Sequence, residues 1–562
     1  MQPSIMISPT RGWRFWTPRI ASAVFAPLLL LIIVEGALRL FGVGFATDVT
    51  VPCTLQGRPA SCYNLFFPAP FFPPGMIKTP QAYAIPAVKP PATFRIFVLG
   101  ESAAMGDPDP AYGFGRYLEV MLRERFPGMK FEVVNTGSVA INSHVLLPIA
   151  KELANFKPDV FIIYSGNNEV VGPYGPGTVL TTSGMSLPVV RTSIFLRSTR
   201  IGQLLTKLGT QRREWGGMEM FLDKQVPASS PLMRQAYKNY EANLRDTVAA
   251  ARRSGARVFV STVATNLKDC GPFASLHREN LKPEELRSWT GLVEQGSQLE
   301  DAKSHPEALQ AYLAASKIDD QYAELEFRLA RTLLAMADYA GARQHFSRAR
   351  DLDTLRFRAD SRVNEINRAS SAWGAELLDA EAVLSNQSPN GILGSEFVYE
   401  HVHLTPRGNY LLARELFLKI AAELAKQALP ETQQAGSLQA ASNDVAPSEA
   451  DCDRWLALTP HDRLRMTNEM LQRLEKPPFT NQINHSEQVL RLTMLVDVPD
   501  ENPNETAAEY QWAIRRQPDD RILHYNFGLF LFDYNRSAAA QELRMSRPWD
   551  GFPVFAPDGT ML

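Results

Sequence analysis

The sequence predicts an α/β protein built on a parallel sheet and extended by all-α regions. Three observations carry that prediction. Short apolar runs alternate with amphipathic stretches from residue 94 to about residue 263, the pattern of strand–helix–strand units. The first three runs lead into small or polar turns: Gly100-Glu101-Ser102, Asn135-Thr136-Gly137 and Gly166-Asn167-Asn168-Glu169. Residues 281–365 and 452–562 lack this alternation and carry helical spacing instead.

In chain order, 94–99 reads as the first strand and 114–126 as the helix that follows it. A strand over 131–134, a helix over 146–156 and a strongly apolar strand over 160–164 come next. The helix over 232–254 leads to a strand over 258–263. Right-handed crossovers between parallel strands bring Ser102, Gly137 and Asn168 to one sheet edge, where open α/β folds place their chemistry.

Upstream, Arg11, Arg14 and Arg19 precede an apolar stretch over 20–34, interrupted by Glu35 and Arg39. A membrane span needs about 20 apolar residues and a signal-peptide core about 7–15. The expectation is an uncleaved anchor over 20–43, with a cleaved signal or a buried helix as alternatives. Basic residues 1–19 then stay cytoplasmic and the body lies in the periplasm, beside a bacterial inner membrane. Residues 60–92 carry prolines at 68, 70, 73, 74, 80, 86, 90 and 91, with another just before at 59, so the stretch 44–92 is expected to form an extended membrane-proximal linker. Of four cysteines, Cys53 and Cys62 either close a short disulfide loop or remain a reduced pair. Their spacing and the lack of nearby histidines argue against zinc.

The α/β domain reads as two parts, 93–280 and 366–427, separated by helices over 281–365. Within the insertion, Leu329, Ala330 and Leu333, a turn at Asp338-Tyr339, and then Ala342, Phe346 and Ala349 resemble one tetratricopeptide unit. Residues 308–318 resemble the second helix of a degenerate unit before it, and 356–368 continue as a charged helix. A polar linker over 428–451 leads to the final helical region, 452–562. There Tyr525, Phe527, Gly528, Leu531 and Ala540 fit either a weaker repeat or a generic helical hairpin. With 58 basic and 60 acidic side chains and a net charge of -2, nothing points to a nucleic-acid partner.

The chemistry rests on residues far apart in sequence. Ser102 offers a hydroxyl for attack on an ester carbonyl, and His403 an imidazole to take its proton and return it to the leaving group. Glu400, three residues before His403, can orient the other ring nitrogen. These separated blocks resemble the SGNH, or GDSL-like, hydrolase superfamily over about 94–427. The serine block is Phe97-Val98-Leu99-Gly100-Glu101-Ser102, the glycine block Asn135-Thr136-Gly137, the asparagine block Gly166-Asn167-Asn168-Glu169, and the last block Glu400-His401-Val402-His403.

That resemblance implies a flavodoxin-like parallel sheet, Ser102 as nucleophile, His403 as base and Glu400 as orienting acid. It also implies an oxyanion hole from the amides of Ser102 and Gly137 and the side chain of Asn168. Glu101 and Glu169 stand where aspartate is commoner, Asn167 rivals Asn168, and His401 rivals His403. Asn142, Ser143 and His144 are expected near the mouth in supporting roles. No HExxH, EF-hand or phosphate-loop motif calls for a metal, and no cofactor is expected.

The function expected is a serine esterase that hydrolyses acyl, including O-acetyl, esters of envelope or secreted polysaccharide through an acyl-enzyme. Two alternatives stand beside it. One is O-acyl transfer; the other is a noncatalytic, membrane-anchored scaffold whose helical repeats recruit an envelope-assembly protein.

Overall fold

The structure is a computed structural model describing residues 12–77, 80–209, 214–427, 445–496 and 502–562. Its centre is a five-stranded parallel sheet of β4 (Thr93–Gly100), β5 (Lys130–Asn135), β6 (Val160–Tyr164), β7 (Arg257–Ser261) and β8 (Glu376–Leu378). The spatial order is β5-β4-β6-β7-β8, which in order of appearance is the flavodoxin-like 2-1-3-4-5 arrangement. Ile96 to Leu99 of β4 and Val160 to Ile162 of β6 are fully buried. Strands covered on both faces read as continuous apolar runs rather than alternating ones, and that is why the sequence signals them clearly.

Two helix pairs cover the sheet: Phe114–Arg125 packs against Pro406–Gln427, and Ser143–Leu153 against Pro231–Arg253. Tyr117, Leu118, Met121 and Leu122 form the buried stripe of the first helix, with Arg123 and Arg125 favourably placed in its last turn. Asn142 caps the helix Ser143–Leu153 by accepting the His144 N–H. The helices Pro283–Asp301, His305–Ile318, Ala323–Ala335 and Tyr339–Leu352 lie between β7 and β8. They pack as hairpins around Tyr312, Leu329, Phe327 and Phe346.

Several expectations need correction. No helix among the described residues is long and apolar enough to cross a membrane. This overturns the anchor over 20–43, and with it the inner-membrane, periplasmic placement. A helix does run over Gly12–Leu40, but Glu35 and Arg39 interrupt its apolar character near the C-terminal end, and Glu35 fastens that end to the body. Glu35 accepts the N–H groups of Arg200 and Ile201 at 3.0 and 3.1 Å and pairs with Arg39 at 2.8 Å.

The proline-rich segment is no free linker either. It forms an antiparallel sheet of β1 (Thr50–Leu55), β2 (Arg58–Tyr63) and β3 (Ala84–Pro86), and Phe67, Phe71, Phe72 and Met76 enter the main core. Cys53 and Cys62, across β1 and β2, are disulfide-bonded. The expected charged helix over 356–368 begins only at Ser361. Before it, Leu355, Phe357 and Ala359 turn inward and the Arg358 guanidinium donates to the carbonyls of Asn266 and Cys270. Most of the expected linker over 428–451 lies outside the described residues, which resume at 445.

Candidate active site

Gly100 ends β4 because no other residue fits. A Cβ there would lie 2.1 Å from the Tyr164 carbonyl oxygen and 2.4 Å from the Ala104 Cβ. The chain can therefore turn tightly against β6 and open the short helix Ser102–Met105 with Ser102 as its first residue. The amide of a first helical residue has no partner within its helix. Gly106 closes this helix at φ 97°, a left-handed conformation that favours glycine.

After β8, the loop carrying Glu400 and His403 returns to this turn. His403 Nε2 lies 2.8 Å from Ser102 Oγ, although the residues are 301 positions apart. His403 Nδ1 makes a very short hydrogen bond to Glu400 Oε1. The other oxygen, Glu400 Oε2, accepts the amides of Val402 and His403 at 2.9 and 3.1 Å as well as that of His401. All three side chains are buried.

Burial works against the Glu400 carboxylate, yet the charges of His401 and His403 and their hydrogen bonds hold it well below the usual carboxylate range. Burial lowers His403, but Glu400 and Asp107 outweigh it and raise this imidazole above its ordinary value. His401 does not compete for Ser102. Its ring lies edge-on among Phe273, Phe357 and Phe479 at 5.5, 6.4 and 5.6 Å, and burial lowers its pKa. Ligand atoms of Glu400, His401 and His403 lie within 4.8 Å of one another. The amides on Oε2 and the hydrogen bonds on both His403 nitrogens already occupy the Glu400 and His403 atoms, while His401 Nδ1 lies 3.2 Å from Glu400 Oε2.

The expected donors are not equivalent. Gly137 sits against the helix Ser102–Met105, where a Cβ would approach the Met105 nitrogen to 2.6 Å. Its N–H, however, donates to Asn135 Oδ1 at 2.9 Å, so it is engaged rather than free for an oxyanion. The same Asn135 donates through Nδ2 to the Ala104 carbonyl at 2.8 Å. Asn168 is half-buried, and its side-chain amide has no hydrogen-bond partner among the described residues. Asn167 instead uses Oδ1 to accept the Ala359 N–H at 3.0 Å, which leaves the rival asparagine a structural role.

The two atypical glutamates tie the turns together. Glu101 Oε1 accepts the Ser165 hydroxyl and the Gly166 amide, while Oε2 accepts the amides of Asn167 and Asn168. The extra methylene, compared with aspartate, lets the turn after β4 reach the turn after β6. Burial and the nearby Glu169 push Glu101 up to about 8 despite those bonds. Glu169 accepts the Ser143 amide and hydroxyl at 2.7 and 2.8 Å, and burial raises it to about 7. His144, lowered to about 4 by burial, contacts Asn243 through Nδ1 at 2.9 Å. Asn142, Ser143 and His144 therefore support this network rather than a mouth.

Two residues that sequence reasoning did not single out lie at the centre. Asp107 Oδ2 is 3.0 Å from His403 Nε2, and Arg473 grips both Asp107 oxygens at 2.6 Å. Asp107 lies in Gly106-Asp107-Pro108-Asp109-Pro110, a stretch without a recognisable motif, and Arg473 belongs to the final helical region, read as a weaker repeat or a generic helical hairpin.

No family model matches the chain, and no curated protein matches it. Solved structures similar to it include an acetylxylan esterase from Geobacillus stearothermophilus, at 12% identity over 58% of this chain and 94% of that one, with a TM-score of 0.27. An alpha/beta hydrolase enzyme from the metagenome of Lake Arreo, Spain, is similar at 13% identity over 57% and 93%, with a TM-score of 0.26. A lipase/acylhydrolase from Enterococcus faecalis is similar at 10% identity over 58% and 95%, with a TM-score of 0.24. Likenesses this distant carry no chemistry to this chain.

Proposed function

We propose that this protein is a serine hydrolase acting on acyl esters. The single observation that supports the reading best is the hydrogen-bonded series Ser102 Oγ, His403 Nε2, His403 Nδ1, Glu400 Oε1. As Oγ attacks the ester carbonyl, its proton passes to Nε2 and the carbonyl electron pair moves to oxygen. Collapse of the tetrahedral intermediate breaks the bond to the alcohol, which leaves with the proton from Nε2. Water then repeats the sequence on the acyl-enzyme and frees the acid. Glu400 fixes the ring orientation and stabilises the imidazolium, as an orienting carboxylate does in a triad.

The Ser102 amide and the Asn168 side chain are the available donors for the oxyanion. Gly137 joins them only if its N–H leaves Asn135. A donor of this kind is worth about 3–4 kcal/mol of transition-state stabilisation. The burial of Ser102 and His403 favours a second reading, acyl transfer to a sugar hydroxyl in place of water.

The test is hydrolysis of a panel of acetyl and longer acyl esters, including an O-acetylated glycan, with products analysed in the presence of a sugar acceptor. S102A is expected to lose at least about a thousandfold in kcat/KM while keeping the circular dichroism of the native chain. Equal turnover by S102A and the unaltered protein would remove Ser102 as nucleophile. Acylated acceptor in place of free acid would select transfer.

A further inference from the structure

We propose that Asp107, held by Arg473 of the C-terminal helical region, is a positioning residue that controls whether His403 is available as a base. This inference rests on the reading of His403 as the proton acceptor of Ser102.

The geometry carries it. In a neutral imidazole that donates Nδ1–H to Glu400, Nε2 holds only a lone pair. That lone pair suits the Ser102 hydroxyl but not a carboxylate oxygen 3.0 Å away. The Asp107 contact is favourable when a proton sits on Nε2, between Ser102 Oγ and Asp107 Oδ2. Below the raised pKa of His403 the site thus holds an imidazolium between two carboxylates, Glu400 and Asp107. Its Nε2 proton must leave to solvent before the serine proton can be taken. Once attack begins, Asp107 has the opposite effect, because it stabilises the imidazolium that re-forms.

Arg473 sets the strength of this contact. It lies on the helix Pro460–Leu474, 366 positions from Asp107, and binds both carboxylate oxygens in a planar, bidentate fashion. Glu469, one turn earlier, accepts from the same guanidinium at 2.6 Å. Arg473 therefore both holds Asp107 over the imidazole and offsets part of its charge.

The other groups facing His403 do not replace this pair. Glu400 is on the opposite ring nitrogen, and His401 lies edge-on at 5.5 Å. Arg358 lies over the Phe273 ring behind His401. Cys270, a thiol pushed up to about 11 by burial, stays neutral. Both directions of shift agree with the geometry: burial opposes ionisation of Asp107, but His403 and Arg473 hold it below its ordinary value.

Two variants of the full chain are expected to move the pH profile in opposite directions. D107N removes the charge from Nε2, so the acidic limb of kcat/KM moves to lower pH. Its alkaline plateau in kcat falls about tenfold, because the imidazolium formed during attack loses an ionic partner. R473Q leaves the Asp107 charge uncompensated, and the acidic limb moves to higher pH. NMR titration of labelled histidine, with His403 assigned through H403Q, reads the same two displacements without turnover.

A D107N limb and a D107N titration both unchanged from those of the unaltered protein would overturn the proposal. A shift of the same sign in D107N and R473Q would also overturn it. Absence of Ser102-dependent turnover would defeat the esterase reading alone, and the titration would still decide the role of Asp107. If D107N fails to fold, the R473Q titration decides.

Discussion

Two kinds of buried carboxyl group surround Ser102, and they respond oppositely to pH. Glu400 is held low by its histidines, whereas Glu101 and Glu169 are raised to about 8 and about 7, chiefly by burial. A carboxyl raised above its unfolded value, here 4.5, contributes stability that is complete below that value. The contribution is lost as pH rises through the folded value. These two groups should therefore make stability fall between about pH 4.5 and about pH 8. E169Q keeps an acceptor for the Ser143 amide and a donor for its hydroxyl, and it removes one charge that raises Glu101. Urea unfolding at about pH 5 and about pH 8 is expected to show a smaller difference for E169Q than for the unaltered chain. An equal or larger difference would show that this pair does not store the linkage.

The site depends on strand ends that can approach one another, and Gly100 controls the closest approach. G100A places a Cβ against a backbone oxygen of β6 and against Ala104, so β4, β6 or the helix Ser102–Met105 must shift. Overpacking of this kind costs about 1–3 kcal/mol. The expected result is a lower thermal midpoint together with reduced kcat/KM; a fully stable G100A would show that the turn relaxes freely.

The same strands explain which elements were legible in the sequence. Residues 160–164 form a wholly apolar run and become β6 with the same bounds. The first strand, expected over 94–99, extends by one residue at each end to Thr93–Gly100. By contrast, β1 to β3 were hidden because their segment is dominated by proline. Pro52 and Pro59 nevertheless sit in paired strands, and the phenylalanines that follow supply the burial. The buried turn before Ser361 was misread because Arg356 and Arg358 suggested a solvated helix. Instead, their guanidinium groups satisfy inward-facing carbonyls.

Across the whole molecule, the C-terminal helices grip the segment that follows Ser102. Arg473 binds Asp107, Arg465 binds Asp109, Arg116 pairs with Asp520 at 2.5 Å, and Tyr117 donates to Asp453 at 2.6 Å. These contacts were invisible in sequence because no periodicity links residues hundreds of positions apart. Motif spacing did bring Ser102, Glu400 and His403 into consideration, since each block carries recognisable local chemistry. The apolar run over 20–34 was legible, but the anchor expected from it is overturned, and Glu35 near the end of that helix is fastened to the body. The central claim is that a nucleophile and a base from the two ends of the α/β core form one reacting centre. Labelling with a fluorophosphonate, followed by peptide mapping, tests it most directly. The account predicts a single adduct on Ser102 that H403A strongly slows. Labelling of S102A at the same rate as the unaltered protein would contradict it.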